Sequence, residues 1–229
     1  MTISENHKII AVVPAYNEEK SIAKVIHGIK PFVDEVIVID DGSYDRTREL
    51  AMQAGAVVLF HETNKGVNAA MNRGFREAAA RGADILVTID GDAQHKPEDA
   101  QKAIDLVLAG ADVAVTERIK NSHIGERVYG WYTGLFCQIK DPTCGLKVFR
   151  REVYDRMGHY DTYGSNGAQL AMEACFLGFK IAHLPIEVED RLDHSRFYQR
   201  LFYGNGRILK SMFKTMLYLK FFKGFTENR

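Results

Sequence analysis

Three short clusters of acidic and amide side chains hold most of the chemistry this sequence can offer. Asp90-Gly91-Asp92 is followed at once by Gln94 and His95; Asp40 and Asp41 stand together; and Tyr16-Asn17-Glu18 follows Pro14. Two carboxylates one residue apart, with Gly91 allowing close backbone approach, can hold a hard cation such as Mg2+ or Mn2+. Such a cation is usually shared between one or two carboxylates and substrate phosphates, so a diphosphate is its natural partner. Bound there, it would stabilise charge on a departing phosphate, which points to transfer from a nucleotide-diphosphate donor. Taken alone, an Asp-x-Asp is equally a solvated acidic turn, and the other clusters are equally helix caps or turns. His95 either lines the site or serves structurally.

The elements carrying these clusters decide between the readings. Ile85–Ile89 is an apolar run of the kind that forms a buried parallel strand, and Asp90 and Asp92 follow its carboxyl end. Lys8–Val13, ended by Pro14, predicts a first strand. Glu35–Ile39 predicts a second, running into Asp40-Asp41-Gly42-Ser43; Val57–Phe60 and Ala111–Val115 predict two more. Helical patterns lie between them: Ile22, Val25, Ile26 and Ile29, closed by Pro31; Thr47–Ala54; Val67–Ala80; and Pro97 to about Leu108, with Glu98 and Asp99 near its positive end. This alternation predicts an α/β fold, a mostly parallel sheet wound with crossover helices. In such a sheet the strand carboxyl ends share one edge, where the three clusters would meet. The second half is less regular. A helix is expected over 125–138, a loop over Asp141–Gly145, a strand over Leu146–Phe149, a helix over Ala168–Leu177 and a strand within Lys180–Val188.

The chain has 229 residues, no formal net charge and 46% hydrophobic residues, enough for one large domain with a real core. We read residues 1–190 as that domain and 191–229 as an appendage. The neutral balance argues against nucleic acid as a partner, but it hides an asymmetry. From Arg191 onward nine basic residues face two acidic ones, so the tail is basic and the body acidic, which suggests an anionic surface as partner. The three cysteines, Cys137, Cys144 and Cys175, show no disulfide framework and fit a reducing compartment. The polar N-terminus shows no signal peptide, and no stretch is long and apolar enough to span a bilayer. The expected location is therefore cytoplasmic, and with the basic tail it is peripheral at the cytoplasmic face of a membrane. No G-x-G-x-x-G follows the first strand, and Gly204-Asn205-Gly206 has no strand before it. P-loop and H-E-x-x-H patterns are missing, and none of the eight histidines has zinc-ligand spacing.

With these motifs in order, the chain resembles the family 2 glycosyltransferases of GT-A fold. The resemblance is carried by VVPAYNEE (12–19), VIVIDDGSYDRT (36–47), NKG (64–66), IDGDAQHKPED (89–99) and DPTCGLKVFRREV (141–153). The last two look most like the polyprenyl-phosphate branch, which includes dolichol-phosphate mannose synthases and glucosyltransferases. The resemblance implies that Pro14, Tyr16 and Glu18 border the nucleotide, and that Ile39 and Asp41 meet its base and ribose. It implies that Asp90, Gly91, Asp92 and Gln94 serve the donor, with Asp90, Asp92 and Gln94 holding the metal and diphosphate. Arg118 would assist the donor phosphates and Arg127 would meet an acceptor phosphate. Arg191 and Ser195 match part of a Gly-x-Ser-Lys region, but its glycine is missing and Arg196 stands for the lysine. Thr116-Glu117 replaces the usual small residues before Arg118. These departures leave the acceptor open. Glu173 matches an acidic position with no assigned role.

An anionic lipid phosphate needs positive partners to approach a diphosphate, and arginine's fork fits phosphate oxygens. Such a nucleophile needs no general base. The expected reaction is direct attack of a polyprenyl phosphate on the anomeric carbon of GDP-mannose or a UDP-hexose, with inversion. One alternative transfers to a sugar hydroxyl and would need Glu173 as base; another is a nucleotidyltransferase; a third is a non-catalytic membrane subunit. In the tail, Leu209, Met212, Phe213, Met216 and Leu217 recur at helical spacing beside Lys210 and Lys214. A basic amphipathic helix of this kind suits a membrane interface, and packing on the body or in a homo-oligomer is the competing reading.

Overall fold

The computed structural model describes residues 7–119, 124–190, 206 and 209–218. Seven strands form one sheet: β1 (Ile9–Ala15), β2 (Glu35–Asp40), β3 (Val57–Phe60), β4 (Ile85–Thr88), β5 (Val113–Arg118), β6 (Lys147–Arg150) and β7 (Ile181–Ile186), in the order β3-β2-β1-β4-β6-β5-β7. β1 runs parallel to β2 and β4, β2 to β3, and β5 to β7; only β6 is antiparallel, to β4 and β5. Helices α1 (Ile22–Ile29), α2 (Thr47–Gln53), α3 (Val67–Ala80), α4 (Pro97–Leu108), α5 (Ile124–Cys137), α6 (Arg151–Met157) and α7 (Ala168–Phe176) flank it. The expected α/β architecture holds.

β1 shows why the sheet is buried on both faces. Ile9, Ala11, Val13 and Ala15 pack with α1 and α4, while Ile10 and Val12 pack with α3 on the other side. α3 lies so close to the sheet that a Cβ on Gly74 would stand 2.2 Å from Val12 Cγ1. The strand does not stop at Pro14 as expected but continues to Ala15. Pairing with β4 ends at Val12, so at Pro14 the side facing β4 needs no N–H donor, and proline is tolerated. α6 was not expected. Its seven residues are too few to show a period, and Gly158, at φ 71, closes it.

The cysteine reading is corrected. Cys137 at the end of α5 and Cys175 in α7 form a disulfide, with Cα atoms 5.9 Å apart. Their sequence separation of 38 gives no spacing signal, and only the packing of α5 beside α7 brings them together. Cys144 is a free, buried thiol whose pKa burial pushes up to about 11, so it is held protonated and unreactive.

Residues 209–218 are helical. Met212 packs with Tyr129 of α5 and Ala168 of α7, Ser211 and Thr215 are buried, and Tyr218 meets the Tyr163 ring at 5.4 Å. The single apolar face expected there divides in two. Met212 turns to the body, while Leu209, Phe213 and Leu217 lie exposed. Among the described residues no helix is long and apolar enough to cross a membrane.

Candidate active site

The carboxyl ends of β1, β2 and β4 lie side by side, and three loops leave the sheet there. The β1 and β2 loops are stitched together. Asn17, buried at φ 53, donates its N–H to Ser43 Oγ (2.8 Å) and accepts the Tyr44 N–H on Oδ1 (2.9 Å). Glu18 donates its N–H to Thr47 Oγ1 at 2.7 Å and accepts the Ser21 hydroxyl at 3.1 Å. Tyr16 meets Tyr44 edge to face, their centroids 6.2 Å apart. Ser21 Oγ also donates to Gly91 O (2.8 Å), which joins the β1 loop to the acidic turn after β4.

Asp40 and Asp41 are buried and support the backbone. Asp40 accepts the Ser43 N–H (3.0 Å) and Arg48 Nε (2.8 Å). Asp41 accepts the N–H groups of Lys65 (2.9 Å) and Gly66 (2.7 Å) and lies 2.7 Å from His61 Nδ1. It thereby fixes the Asn64-Lys65-Gly66 turn as a neighbouring wall. Ile39 requires a correction. It is fully buried, backbone included, because β2 is an inner strand paired on both sides, so it presents no surface to a nucleotide.

The Asp90–Gly91–Asp92 turn sits at the mouth of this group. Asp92 is mostly buried and its Oδ1 accepts the Gln94 N–H at 3.1 Å. Asp90 is more open, with His95 Nε2 3.6 Å from its Oδ2. Gln94 turns its amide nitrogen to Glu189 O at 3.1 Å. Among the described residues no three His, Cys, Asp or Glu side chains form a self-sufficient metal cage. Two carboxylates and one amide oxygen are instead a donor set of hard oxygens, suited to Mg2+ or Mn2+ that takes its remaining ligands from phosphate and water. The residues fit such an ion.

Arg118, at the end of β5, is engaged rather than open. It forks onto Asp141 (Nε–Oδ2 2.6 Å, Nη2–Oδ1 2.9 Å), and Nη2 also reaches Glu126 Oε1 (3.1 Å) and Thr143 Oγ1 (2.9 Å). Burial works against its charge, but the hydrogen bonds and charges of Asp141 and Glu126 outweigh burial and raise its pKa. Arg118 therefore anchors the 141–145 loop and the start of α5. Arg127, on α5, is exposed and shares a shallow concavity with Ile124, Val128 and Trp131. Arg191 and Ser195 lie outside the described residues. Glu173 is fully buried, bonded by Gln169 Nε2 (2.9 Å) and 3.2 Å from His159 Nε2. Sequence reasoning named Asn17 and Ser43 within their clusters without giving them a role, and missed Ser21, His61, Glu126, Asp141 and Lys147. Asp141 and Lys147 lie inside a quoted motif, which was their one available signal.

Two helices present apolar faces outward. On α5, Ile124, Val128, Trp131 (69% exposed) and Leu135 (62%) follow one another at helical spacing while Tyr129, Thr133 and Cys137 face inward. The 209–218 helix presents Leu209, Phe213 (59%) and Leu217, with Lys210 and Lys214 also exposed.

A family model described as Glycosyl transferase family 2 matches residues 10–158. The polyprenol monophosphomannose synthase of Mycolicibacterium smegmatis is 29% identical, over 83% of this chain and 80% of its own. The dolichyl-phosphate hexose transferase of Haloferax volcanii is 29% identical, over 91% of this chain and 94% of its own. Among solved structures, the glucosyl-3-phosphoglycerate synthase of Mycobacterium tuberculosis, in complex with Mn2+, UDP-glucose and phosphoglyceric acid, matches with a TM-score of 0.75 at 23% identity, over 94% of this chain and 84% of that one. The sheet and its flanking helices are thus those of a GT-A glycosyltransferase.

Proposed function

The chain belongs to glycosyl transferase family 2, and from that premise we propose that it moves one sugar from a nucleotide-diphosphate sugar to a polyprenyl phosphate. The observation that carries the donor half is the Asp90–Gly91–Asp92 turn, set at the carboxyl end of β4 beside the β1 loop that Asn17 braces, with the Asp41-bound turn beyond it at the end of β2. A divalent cation held by Asp90, Asp92 and Gln94 would offset the charge that builds on the departing diphosphate. The Tyr16–Glu18 loop and the Asp41-bound turn would border the nucleoside.

The acceptor half draws on the relatives, which are named for transfer to polyprenol or dolichyl phosphate. Glu173 supports the same choice. A hydroxyl acceptor needs a base within hydrogen-bond reach, and this carboxylate is fully buried beside Gln169 and His159. A phosphate oxygen is already anionic. It attacks the anomeric carbon, the bond to the nucleotide oxygen breaks with inversion, and no proton has to be removed. Arg127, exposed on α5, would meet that phosphate. The outward faces of α5 and the 209–218 helix, carrying Trp131, Phe213, Lys210 and Lys214, suit an anionic membrane surface on which such a lipid is found.

A panel of GDP- and UDP-sugars, offered to the purified protein with polyprenyl phosphate and Mn2+ or Mg2+, tests the proposal. Sugar-linked lipid is expected with one donor, and Asp92→Ala is expected to abolish metal-dependent donor binding. Products on hydroxyl acceptors alone would sink the acceptor assignment, and an Asp92→Ala enzyme with full turnover would sink the metal assignment.

A further inference from the structure

Lys147 has no part in the reaction as read above. It opens β6, between β4 and β5, and its side chain is wholly buried. Its ammonium donates to the carbonyls of Cys144 and, at 3.0 Å, Asn166. Asn166 returns a second tie, its Nδ2 donating to Thr143 O at 3.0 Å. The loop before β6 and the loop before α7 are thus fastened to each other at two points.

The first of these loops lies on Asp90. A Cβ on Gly145 would stand 1.9 Å from Asp90 Oδ2, so the backbone there is in direct contact with the carboxylate. Thr88, at the end of β4, fixes this contact: its Oγ1 donates to Gly145 O at 2.6 Å and accepts the Lys147 N–H at 2.9 Å. The second loop is rigid in itself. The Asp161 carboxylate accepts the N–H groups of Tyr163, Gly164 and Gly167 and the hydroxyl of Ser165. An apolar side chain of similar length would fill the space around Lys147 without the cost of burying an amine. What the amine adds is the tie between the loops.

We infer that Lys147 and Asn166 are positioning residues for Asp90, holding the Gly145 backbone against its carboxylate and so limiting that ligand to one orientation. The inference rests on the reading of Asp90 and Asp92 as the metal–diphosphate site. Groups that orient a ligand from behind commonly set metal affinity by about ten- to a hundredfold.

The test titrates Mn2+ into the full chain with GDP or UDP present, following free Mn2+ by electron paramagnetic resonance, alongside thermal unfolding. Lys147→Met is expected to weaken Mn2+ binding about tenfold. Asn166→Gly removes one tie while keeping a residue that accepts the left-handed backbone (φ 53), and it is expected to weaken binding about threefold without loss of fold. If Lys147→Met does not fold, Asn166→Gly decides alone. An Asn166→Gly protein with wild-type Mn2+ affinity overturns the inference. A wild-type protein that shows no saturation with either nucleotide overturns the metal reading and this inference with it, whereas saturation in the wild type with unaltered variants overturns the positioning alone.

Discussion

Gly42 and Asp41 show how single residues shape the loops of the proposed donor site. Gly42 lies at φ 77, and a Cβ there would stand 2.8 Å from the backbone of Thr63 and Asn64. The β2 loop and the Asn64–Gly66 turn can close on each other only because the side chain is missing. Gly42→Ala therefore combines left-handed strain with a backbone collision, a cost of roughly 1–3 kcal/mol. We expect its unfolding midpoint to fall by roughly 2–12 °C, at about 2–4 °C per kcal/mol for a chain of this size. Donor binding, measured by calorimetry, should weaken in parallel; an unchanged midpoint would contradict this account of the turn. His159 supplies a second prediction. The Glu173 carboxylate, 3.2 Å from its Nε2, raises its pKa against the effect of burial. A histidine pKa raised by folding adds stability that is fully present below the ordinary value near 6.5 and is lost as pH rises through the folded value. Unfolding curves of wild type and His159→Gln should accordingly differ most below pH ~6.5 and converge at higher pH. A gap that stays constant with pH would count against the pair.

At the scale of elements, α5 and the 209–218 helix share a design. Each buries one stripe on the body and leaves the other apolar stripe outward. The sequence carried the tail's helical spacing but not which side chains face the body, because Leu209, Met212, Phe213, Met216 and Leu217 are all apolar and the partner surface comes from α5 and α7. The disulfide between α5 and α7 was hidden for the same reason: its cysteines meet only through tertiary packing. If the outward stripes meet a bilayer, replacing Trp131 or Phe213 with Glu removes an aromatic anchor worth about 1.5–3 kcal/mol. Each change should weaken binding to anionic vesicles by about tenfold or more in a flotation assay. Vesicle binding that survives the double variant would assign these faces to a protein contact instead.

Over the whole molecule, the parallel half of the sheet was legible because each strand is a short apolar run ending in a motif, and strand ends in such a sheet must converge. That logic alone puts Tyr16, Asp41 and Asp90 on one edge. It did not reach the network behind them. The forked pairing of Arg118 with Asp141, the antiparallel insertion of β6 and the burial of Lys147 depend on contacts between segments far apart in the chain. The proposed acceptor side would draw on that second half. Among the proposed features the central one is therefore chemical: the nucleophile is a phosphate oxygen that needs no base. The most direct measurement compares one polyprenyl chain as its phosphate and as its free alcohol, with the same labelled nucleotide sugar and Mn2+. The account predicts labelled lipid from the phosphate and none from the alcohol; equal transfer to the alcohol would contradict it.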